Sequence, residues 1–590
     1  MKNWYLYCKK GDFEAISEEF GISPILARLL VNRGISTSEE IRSFLFDGIE
    51  QLYDPYLMKD MDKAVSITME KINAGEKIRV IGDYDMDGVC ASTVLKKFFE
   101  YMDADIDVRL PHRIFDGYGM NPQMAEATAE DGVALIITCD NGISSYDAVC
   151  RANELGIKVV ITDHHEPPAD IPPAYAVVDA KQHDCGYPYK EICGAAVCYK
   201  FAQAVISYIK DQGFEFKAGR SLNGLNDLLV NDLIQYAGMA TVADIVPLKN
   251  ENRIFAKEGI RVLNRTENPG LKALIREKGI EEGKWIGAYH IGFIIGPCVN
   301  SAGRLEKAKI AFDLFDTDDE AEAALIAREL SELNEKRKEL TIDQSDRAEE
   351  IIRESGCLSD DSHRIFVIYL PNAHESVAGI IAGKLKEKYL RPVLIITDSE
   401  EGLKGSGRST DDYNLIEALA RHADMFTKYG GHAKAAGFTL RCTPEELSEA
   451  LNSDIQAENA GKVSKTWIDM QLPFSYVTES LAEEINRLEP FGLENDRPLF
   501  AERNVRLCNI KTFGKNSNVL KARLENDSGD SVEGIYFAHP GLVSAEEIRS
   551  YAEEKGNDAL FTIIYRVNIN EFRNQRYPQA VIEDINPSQE

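Results

Sequence analysis

The feature that most constrains this chain is a regular alternation of apolar runs with helix-like segments, which begins at Lys77. Segments such as Val89–Tyr101 and Ser145–Leu155 have helical spacing and lie between the apolar runs. Because strand and helix alternate, the sequence predicts an α/β fold with a parallel sheet covered on both faces. Five runs have the character of buried strands: KIRVIG (77–82), ADIDVRLP (104–111), VALIITC (133–139), IKVVIT (157–162) and AYAVVD (174–179).

The remaining segments differ in composition and predict further domains. Residues 1–70 predict an N-terminal helical segment, and the parallel-sheet domain is expected over 71–310. Residues 311–355 are rich in Glu, Ala, Lys and Leu and predict a long, solvated connecting helix. A second α/β domain is expected over 356–460, and short strands with turn residues predict a small β-barrel over 465–590.

The charge of the chain limits how it could bind a polyanion. The sequence has 97 acidic and 67 basic residues, a formal net charge of −30. A protein this acidic does not attract nucleic acid by bulk charge, so binding would require metal ions or a local basic groove.

Cysteine usage and hydropathy indicate the compartment. No apolar run reaches the roughly 18 residues of a membrane span, so no membrane partner is expected. The 11 cysteines contain no CxxC pair, which argues against a disulfide framework and a thiolate zinc site. We therefore expect a cytoplasmic protein.

Acidic and histidine residues follow three of the predicted strands. Asp83, Asp85 and Asp87 come after the first strand, Asp140 follows the third, and Asp163-His164-His165 follow the fourth. The first group is similar to the start of an EF-hand loop, but a strand precedes it and loop position 12 is Val94. In an open parallel sheet, ligands bind outside the carboxyl ends of the strands.

A cluster of like charges at that edge is costly unless cations neutralise it. Carboxylate oxygens with imidazoles suit Mn²⁺ or Mg²⁺. A single Asp after a strand is usually a turn or cap residue, but the recurrence at matching strand ends favours a metal site.

Together, DYDMDG (83–88), CDNG (139–142) and TDHHEPP (162–168) resemble successive motifs of the DHH phosphoesterase superfamily. The resemblance implies a DHH catalytic domain, a DHHA1-like second domain and an OB-like nucleic-acid-binding barrel. It continues in four later segments: GMATVADIVPL (238–248), GPCVNSAGRL (296–305), GSGRS (405–409) and GGHAKAAGF (430–438).

The resemblance assigns roles to individual residues. It implies that Asp83, Asp163 and His165 are catalytic. Ile81 stands where the family's pyrophosphatases have a metal-binding His, which argues against that activity. Two metal ions would be held by six residues: Asp85, Asp87, Asp140, His164, His165 and Asp244.

Further residues match substrate-contacting positions of the family, and several would capture a terminal 5′ phosphate. These are Arg113, Asn300, Arg304, Ser406, Arg408 and His432. GSGR and GGH are also expected to be flexible, close-approach loops suited to phosphate. In the barrel, cations and aromatics that could bind bases are interleaved: Lys511, Phe513, Lys515, Lys521, Arg523, Tyr536 and Phe537.

The resemblance implies a metal-dependent exonuclease that degrades 5′-phosphorylated single-stranded DNA from its 5′ end. It would release 5′-mononucleotides by two-metal-ion hydrolysis, in recombination and repair, and single-strand-binding protein and a helicase are candidate partners. One alternative is an enzyme acting on short RNA oligonucleotides or cyclic dinucleotides. Another is a catalytically inactive replication scaffold of the same ancestry, which predicts eroded metal ligands.

Overall fold

The computed structural model describes residues 3–113, 115–358, 363–400, 402–455, 465–514, 517–538, 542–572 and 575–588. They form two compact units. The large unit comprises Gly11–Asn334 and Asn486–Arg497, and the small unit comprises Met1–Lys10, Glu335–Ile485 and Pro498–Glu590. Strand β1 (Asn3–Leu6) belongs to the small unit.

The large unit is built on a five-stranded sheet in the order β3-β2-β4-β5-β6, and all neighbouring strands are parallel. The five apolar runs of the sequence therefore become five strands, as predicted. Their bounds are β2 Ile78–Ile81, β3 Ile106–Arg109, β4 Leu135–Cys139, β5 Lys158–Thr162 and β6 Ala176–Val178.

Helices surround this sheet. In the large unit they are α1 Phe13–Phe20, α2 Pro24–Asn32, α3 Ser38–Phe46, α4 Met61–Ala74, α5 Met86–Tyr101, α6 Pro122–Glu130, α7 Tyr146–Glu154, α8 Gly194–Gln212, α9 Leu222–Leu228, α10 Ile234–Ala243, α11 Asn250–Leu263, α12 Pro269–Glu277, α13 Ala288–His290, α14 Gly296–Leu305 and α15 Lys309–Asp316. One-turn π-helical segments, Leu229–Leu233 and Ile291–Ile295, directly precede α10 and α14.

The two faces of the sheet bury different residues. Leu135 and Ile137 of β4 pack into a core that includes residues of α5 and α8. Ile136, between them, packs into a second core with residues of α6 and α7. Successive side chains of a strand point to opposite faces, so helices cover both faces, as the sequence predicted.

The long helix α16 (Glu320–Glu354) contains the boundary between the units. Its start differs from the predicted connecting helix at 311–355, because α15 ends at Asp316. The Thr317 hydroxyl accepts a hydrogen bond from the Asp319 N–H, and the Asp319 carboxylate accepts one from the Glu322 N–H. These bonds begin a new helix.

The small unit contains a five-stranded sheet in the order β10-β11-β9-β8-β7, in which only β7 and β8 are parallel neighbours. Helices α17 Glu375–Tyr389, α18 Leu415–Arg421 and α19 Pro444–Ser453 accompany it. The strands are β7 Phe366–Tyr369, β8 Val393–Ser399, β9 Gly402–Arg408, β10 Phe426–His432 and β11 Ala435–Leu440.

The expectation that GSGR and GGH form flexible loops was wrong, because both lie at the ends of paired strands. Glycine is needed there for close packing. A Cβ on Gly405 would lie 2.2 Å from the Phe438 ring.

The C-terminal part forms the expected OB-like sheet, in which each of the five main strands pairs with two others. β1 and β12 (Lys465–Ile468) form a separate two-stranded parallel sheet, so the N-terminal segment is not entirely helical. The remaining elements are β13 Met470–Gln471, α20 Glu479–Asn486, β14 Phe500–Phe513, β15 Val519–Glu525, β16 Ser531–Phe537, α21 Ala545–Lys555, β17 Phe561–Phe572 and β18 Gln575–Pro587.

All 11 cysteines are free thiols. Among the described residues, no helix combines the length and apolar character that crossing a membrane requires.

Candidate metal centre and substrate-binding residues

Three central strands of the large unit end in the predicted acidic and histidine residues. Asp83 lies two residues beyond β2, Asp140 directly follows β4, and Asp163 directly follows β5. The side chain of Asn141 donates hydrogen bonds to the carbonyls of Ile81 (3.0 Å) and Cys139 (2.9 Å), which ties the ends of β2 and β4 together. The sheet therefore brings the three motifs to one edge.

Asp85 and Asp87 owe their positions to the start of α5. The Asp85 carboxylate caps this helix and accepts hydrogen bonds from the N–H groups of Asp87 (3.0 Å) and Gly88 (3.2 Å). The two Asp87 oxygens accept hydrogen bonds, 2.7 Å each, from the N–H groups of Gly194 and Ala195 at the start of α8. Free N–H groups at a helix start favour a negative charge, so α8 fixes the Asp87 carboxylate.

His164 lies between carboxylates from three elements. Its Nε2 is 3.1 Å from Oδ1 of Asp140, 3.7 Å from Oδ2 of Asp87 and 3.8 Å from Oδ2 of Asp244. Asp244 directly follows α10 and keeps 30% side-chain exposure, whereas the other three residues are buried.

The ligand atoms form overlapping groups, within each of which all atoms lie within 4.8 Å of one another. The groups are Asp140, His164 and His165; Asp87, His164 and Asp244; and Asp83, Asp85 and Asp140. Seven of the eight residues predicted as metal ligands or catalytic groups thus belong to these groups in the large unit. The eighth is Asp163.

Burial and mutual repulsion shape the ionisation of this cluster. Burial, strengthened by the charge of Asp85, raises the pKa of Asp83 well above its usual range and that of Asp87 to about 7. The pKa values of Asp140 and Asp244 are also raised well above the usual range by burial, with Asp87 adding to both. Burial lowers the pKa of His164 to about 3, so this imidazole is neutral.

The cluster fits hard divalent cations. Oδ1 of Asp83 and Oδ1 of Asp140 are buried and accept no hydrogen bond. The donors are carboxylate oxygens and imidazole nitrogens, with no thiolate among them, a set that suits Mn²⁺ or Mg²⁺. A cation would satisfy the unpaired oxygens and offset the repulsion.

Asp163 has a different role from the other strand-end carboxylates, because its oxygens are occupied by hydrogen bonds from the protein. Oδ2 accepts from the Ile143 N–H (2.9 Å), and Oδ1 accepts from the His164 N–H (2.7 Å) and from Nδ1 of His165 (2.8 Å). Burial would raise the pKa of Asp163, but the hydrogen bond from His165 brings it below its usual value. Asp163 therefore orients His165.

His165 has a second neighbour, Tyr118. The phenol oxygen lies 3.1 Å from Nδ1 and 3.2 Å from Nε2 of His165, and it donates to the carbonyl of Asp140 at 3.2 Å. Burial disfavours the imidazolium of His165, but the hydrogen bond to Asp163 outweighs this and raises the pKa to about 9.

Two arginines near the candidate metal centre, Arg113 and Arg304, lie beside Tyr84, the residue between Asp83 and Asp85. The Arg113 guanidinium lies 4.7 Å from the centroid of the Tyr84 ring. A Cβ on Gly303 would lie 2.2 Å from the Tyr84 carbonyl oxygen, so α14 packs directly on this loop with Arg304 beside the contact. Asn300 of α14 accepts a hydrogen bond from the Met86 N–H (2.7 Å), which gives it a positioning contact.

Ser406, Arg408 and His432 lie in the small unit. Arg408 donates to the Ser406 hydroxyl (3.3 Å), and both side chains contact α17, where a Cβ on Gly379 would lie 2.9 Å or less from each. Ala435 of β11 pairs with Arg408 on one side and His432 on the other. The substrate roles of these residues stay predictions.

Of the aromatic residues predicted to bind bases in the OB-like sheet, two are exposed and one is buried. Phe513 and Phe537 are exposed and flank Val519 in one cross-strand row. Tyr536 was expected among the base-binding residues, but it is buried and donates to the Val543 carbonyl, because side chains alternate along β16.

Cations of the same sheet have protein partners. Lys521 forms an ion pair with Glu533 (2.8 Å), and Arg523 donates to Ser531 (2.8 Å). Lys511 is exposed, and Lys515 lies outside the described residues.

Sequence reasoning missed several residues that the fold brings to the site. Tyr118 and the Gly194 N–H gave no motif signal strong enough to single them out. Asp179 directly follows β6 and is buried, with its Oδ2 unpaired. The strand-end rule that found Asp83 and Asp140 would have found it as well.

Three family profiles match the chain. The DHH family, N-terminal domain, matches residues 77–225, the DHHA1 domain matches 362–458, and the RecJ OB domain matches 468–584. Their order is the order of the domains described above.

Several curated relatives match nearly the whole chain. The single-stranded-DNA-specific exonuclease RecJ of Bacillus subtilis is 32% identical over 582 residues, which cover 97% of this chain and 69% of that protein. The protein of the same name from Escherichia coli is 30% identical over 586 residues and 96% of each chain.

Solved structures show the same fold. The crystal structure of RecJ in complex with Mn²⁺ from Thermus thermophilus matches with a TM-score of 0.79 at 24% identity, over 100% of this chain and 80% of that chain. The crystal structure of exonuclease RecJ bound to manganese matches with a TM-score of 0.54 at 30% identity, over 68% and 95%.

Proposed function

Because this chain belongs to the RecJ group of the DHH family, we propose that it is a metal-dependent exonuclease specific for single-stranded DNA. The observation that carries the proposal is the convergence of carboxylates and imidazoles from β2, β4, β5 and α10 on one small volume. We further propose that it digests the strand from the 5′ end and releases 5′-mononucleotides, in recombination and repair.

Asp85, Asp87, Asp140, His164, His165 and Asp244 would hold two Mn²⁺ or Mg²⁺ ions, with Asp83 beside them. When bound, such ions lower the pKa of a coordinated water, neutralise the phosphoryl oxygens and stabilise the leaving alkoxide.

The protein's own groups orient these ligands. Asp87 is held by the start of α8, and Asp163 holds Nδ1 of His165, so that Nε2 remains to bind a cation. These contacts fix the ligands before the ions arrive, which reduces the reorganisation that binding requires.

Arginines provide local positive charge in a chain whose net charge is negative. Arg113 and Arg304 beside Tyr84 would bind phosphates of the strand near the metal centre. We propose that Ser406, Arg408 and His432 capture the terminal 5′ phosphate, and that the exposed Phe513 and Phe537 stack on bases.

The decisive experiment compares 5′-labelled and 3′-labelled single strands, each with a matched duplex as control. We expect the 5′ label to appear first as a mononucleotide, in Mn²⁺ but not in EDTA, and the duplex to resist. Release of the 3′ label as the first mononucleotide would refute the direction, and cleavage of dinucleotides alone would favour the small-substrate alternative. The inactive-scaffold alternative predicts no metal-dependent cleavage and eroded metal ligands. In this sequence every predicted ligand position carries an Asp or His.

We also propose a cytoplasmic setting and two partners. Eleven free thiols are consistent with a cytoplasmic enzyme. Single-strand-binding protein and a helicase are proposed partners, because an exonuclease of this specificity needs exposed single strands. Co-purification with the tagged full chain would test both partners.

A further inference from the structure

One surface segment of the large unit exposes Trp285, Tyr289 and Phe293, and the stacked rings of Tyr289 and Phe293 are defined here as the aromatic platform. The three side chains are 57%, 66% and 70% exposed. The rings of Tyr289 and Phe293 are stacked, with centroids 5.1 Å apart and planes inclined by 26°. Large apolar side chains that are exposed together mark a binding surface more often than chance packing.

The platform is held firmly by the opposite side of its own segment. Ile291 and Ile295, in the π-helical turn that carries Phe293, are fully buried in the core of the large unit. Ile286, the residue after Trp285, is also buried. The exposed rings are therefore fixed by buried neighbours.

The same stretch of backbone continues into the metal centre. Gly296, the first residue of α14, packs next to Ala243, the residue before Asp244, because a Cβ on Gly296 would lie 3.7 Å from the Ala243 Cβ. Four residues later, Asn300 accepts the hydrogen bond from Met86 beside Asp85. Phe293 precedes Asn300 by a rise of about 10 Å, which corresponds to about three stacked nucleotides.

We propose that the platform binds bases of the single-stranded substrate by stacking, at a distance of a few nucleotides from the metal centre. This inference rests on the proposed function. Every base has a flat π-face, so aromatic stacking holds a strand without reading its sequence, which suits a nuclease that must process any sequence. It also suits a chain of net charge −30, because stacking needs no basic groove.

The test measures strand binding in the full-length chain carrying Asp140→Asn, so that the strand stays intact. The probe is a 5′-phosphorylated strand of about 20 nucleotides, longer than one OB fold covers, with 2-aminopurine placed at successive positions from its 5′ end. We expect one or two adjacent positions at which the fluorescence change on binding disappears in Tyr289→Leu and Phe293→Leu. Changes at positions that stack on Phe513 or Phe537 should persist in these variants. Leucine keeps the apolar contact but removes the ring.

We expect the Tyr289→Ala/Phe293→Ala double variant to bind the strand about fivefold to a hundredfold more weakly. In the chain with Asp140 intact, it should raise KM for the strand more than it lowers kcat. Tyr175→Ala is the matched control, because Tyr175 is 42% exposed and precedes β6, at the sheet edge opposite the metal centre. It should leave binding unchanged.

The outcomes distinguish failure of the platform inference from failure of the proposed function. If the unsubstituted chain binds and cleaves the strand but the leucine and alanine variants behave like Tyr175→Ala, the platform inference is wrong and the function stands. If these variants lose binding of single-strand-binding protein but keep the strand, the platform is a protein-docking surface and the inference also fails. If the unsubstituted chain does not cleave the strand, the proposed function itself is refuted.

Discussion

Replacing Asp140 by Asn tests the physical basis of the metal centre. In the metal-free protein, Asp140 is buried beside Asp83, Asp85, Asp87 and Asp244, and burial together with their charges raises its pKa. The amide is nearly the same size and is neutral, so the substitution removes repulsion without opening a cavity. We therefore expect it to stabilise the metal-free fold while abolishing the stabilisation that Mn²⁺ provides.

The magnitude can be worked out from Asp87, whose pKa is raised from its ordinary value of 3.8 to about 7. Ionising this carboxyl in the fold costs roughly 4 kcal/mol. Since the folded-state pKa lies above the unfolded one, the associated stability is fully present below about pH 4 and is lost as the pH rises towards 7. Asp140 belongs to the same cluster and its pKa is shifted in the same direction, so the substitution is expected to relieve repulsion there as well.

The assay is thermal unfolding in EDTA at about pH 8 and about pH 5. Asp140→Asn should raise Tm above that of the unsubstituted chain by several degrees at the higher pH, and by less at the lower pH. Addition of Mn²⁺ should raise the Tm of the unsubstituted chain but not that of Asp140→Asn.

Asp107→Asn is the matched control. The Asp107 carboxylate pairs with Arg79 at 2.7 Å and with Lys77 at 2.9 Å. Its partial burial would raise its pKa, but these cations bring the pKa below the usual value. The sign of the effect is therefore reversed, and the substitution should lower Tm at the higher pH. If Asp140→Asn lowers Tm equally at both pH values, repulsion does not govern the site and the argument fails.

Three further substitutions test separate parts of the site. Asp163→Asn should weaken Mn²⁺ binding or activity about 10–100-fold, because the amide has one accepting oxygen where the carboxylate uses two, one for the Ile143 N–H and one for Nδ1 of His165; unchanged calorimetric affinity and unchanged kcat would contradict this. Gly303→Ala should lower kcat without unfolding the chain, because its Cβ would lie 2.2 Å from the Tyr84 carbonyl, whereas Gly292→Ala, with nothing within 4 Å, should leave kcat unaltered. Arg408→Gln should reduce the preference for 5′-phosphorylated over 5′-hydroxyl strands, and a retained preference would argue against phosphate capture there.

The convergence of strand-end carboxylates could be predicted from the sequence because it follows a local rule. Carboxyl ends of parallel strands meet at one edge, so the sequence predicts that Asp83, Asp140 and Asp163 lie together. The family resemblance added Asp244, which follows a helix and which the strand-end rule does not reach.

The different contacts of Asp140 and Asp163 could not be predicted in this way. Asp140 and Asp163 both follow buried strands directly, yet Asp140 faces the ligand cluster and Asp163 binds N–H groups of the protein. The difference depends on which N–H groups lie nearby, and those of Ile143 and His165 are placed by separate turns of the chain.

The secondary structure of two glycine-rich segments could not be predicted from the sequence either. GSGR and GGH resemble loops because glycine is flexible, but Phe438 packs against Gly405 and the segments pair as strands. Likewise, Tyr536 could have faced either solvent or core, and the register of β16 places it inside.

Periodic apolar patterning and the spacing of charged residues were therefore enough to predict the parallel sheet, the domain order and the edge where the acidic and histidine residues converge. Both are properties of short stretches of chain. The orientation of each carboxylate, the anchoring of Asp87 by the start of α8 and the exposure of the aromatic platform depend on neighbours tens to hundreds of residues away. Only the packed structure shows these, because burial and hydrogen-bond partners arise from contacts between distant segments.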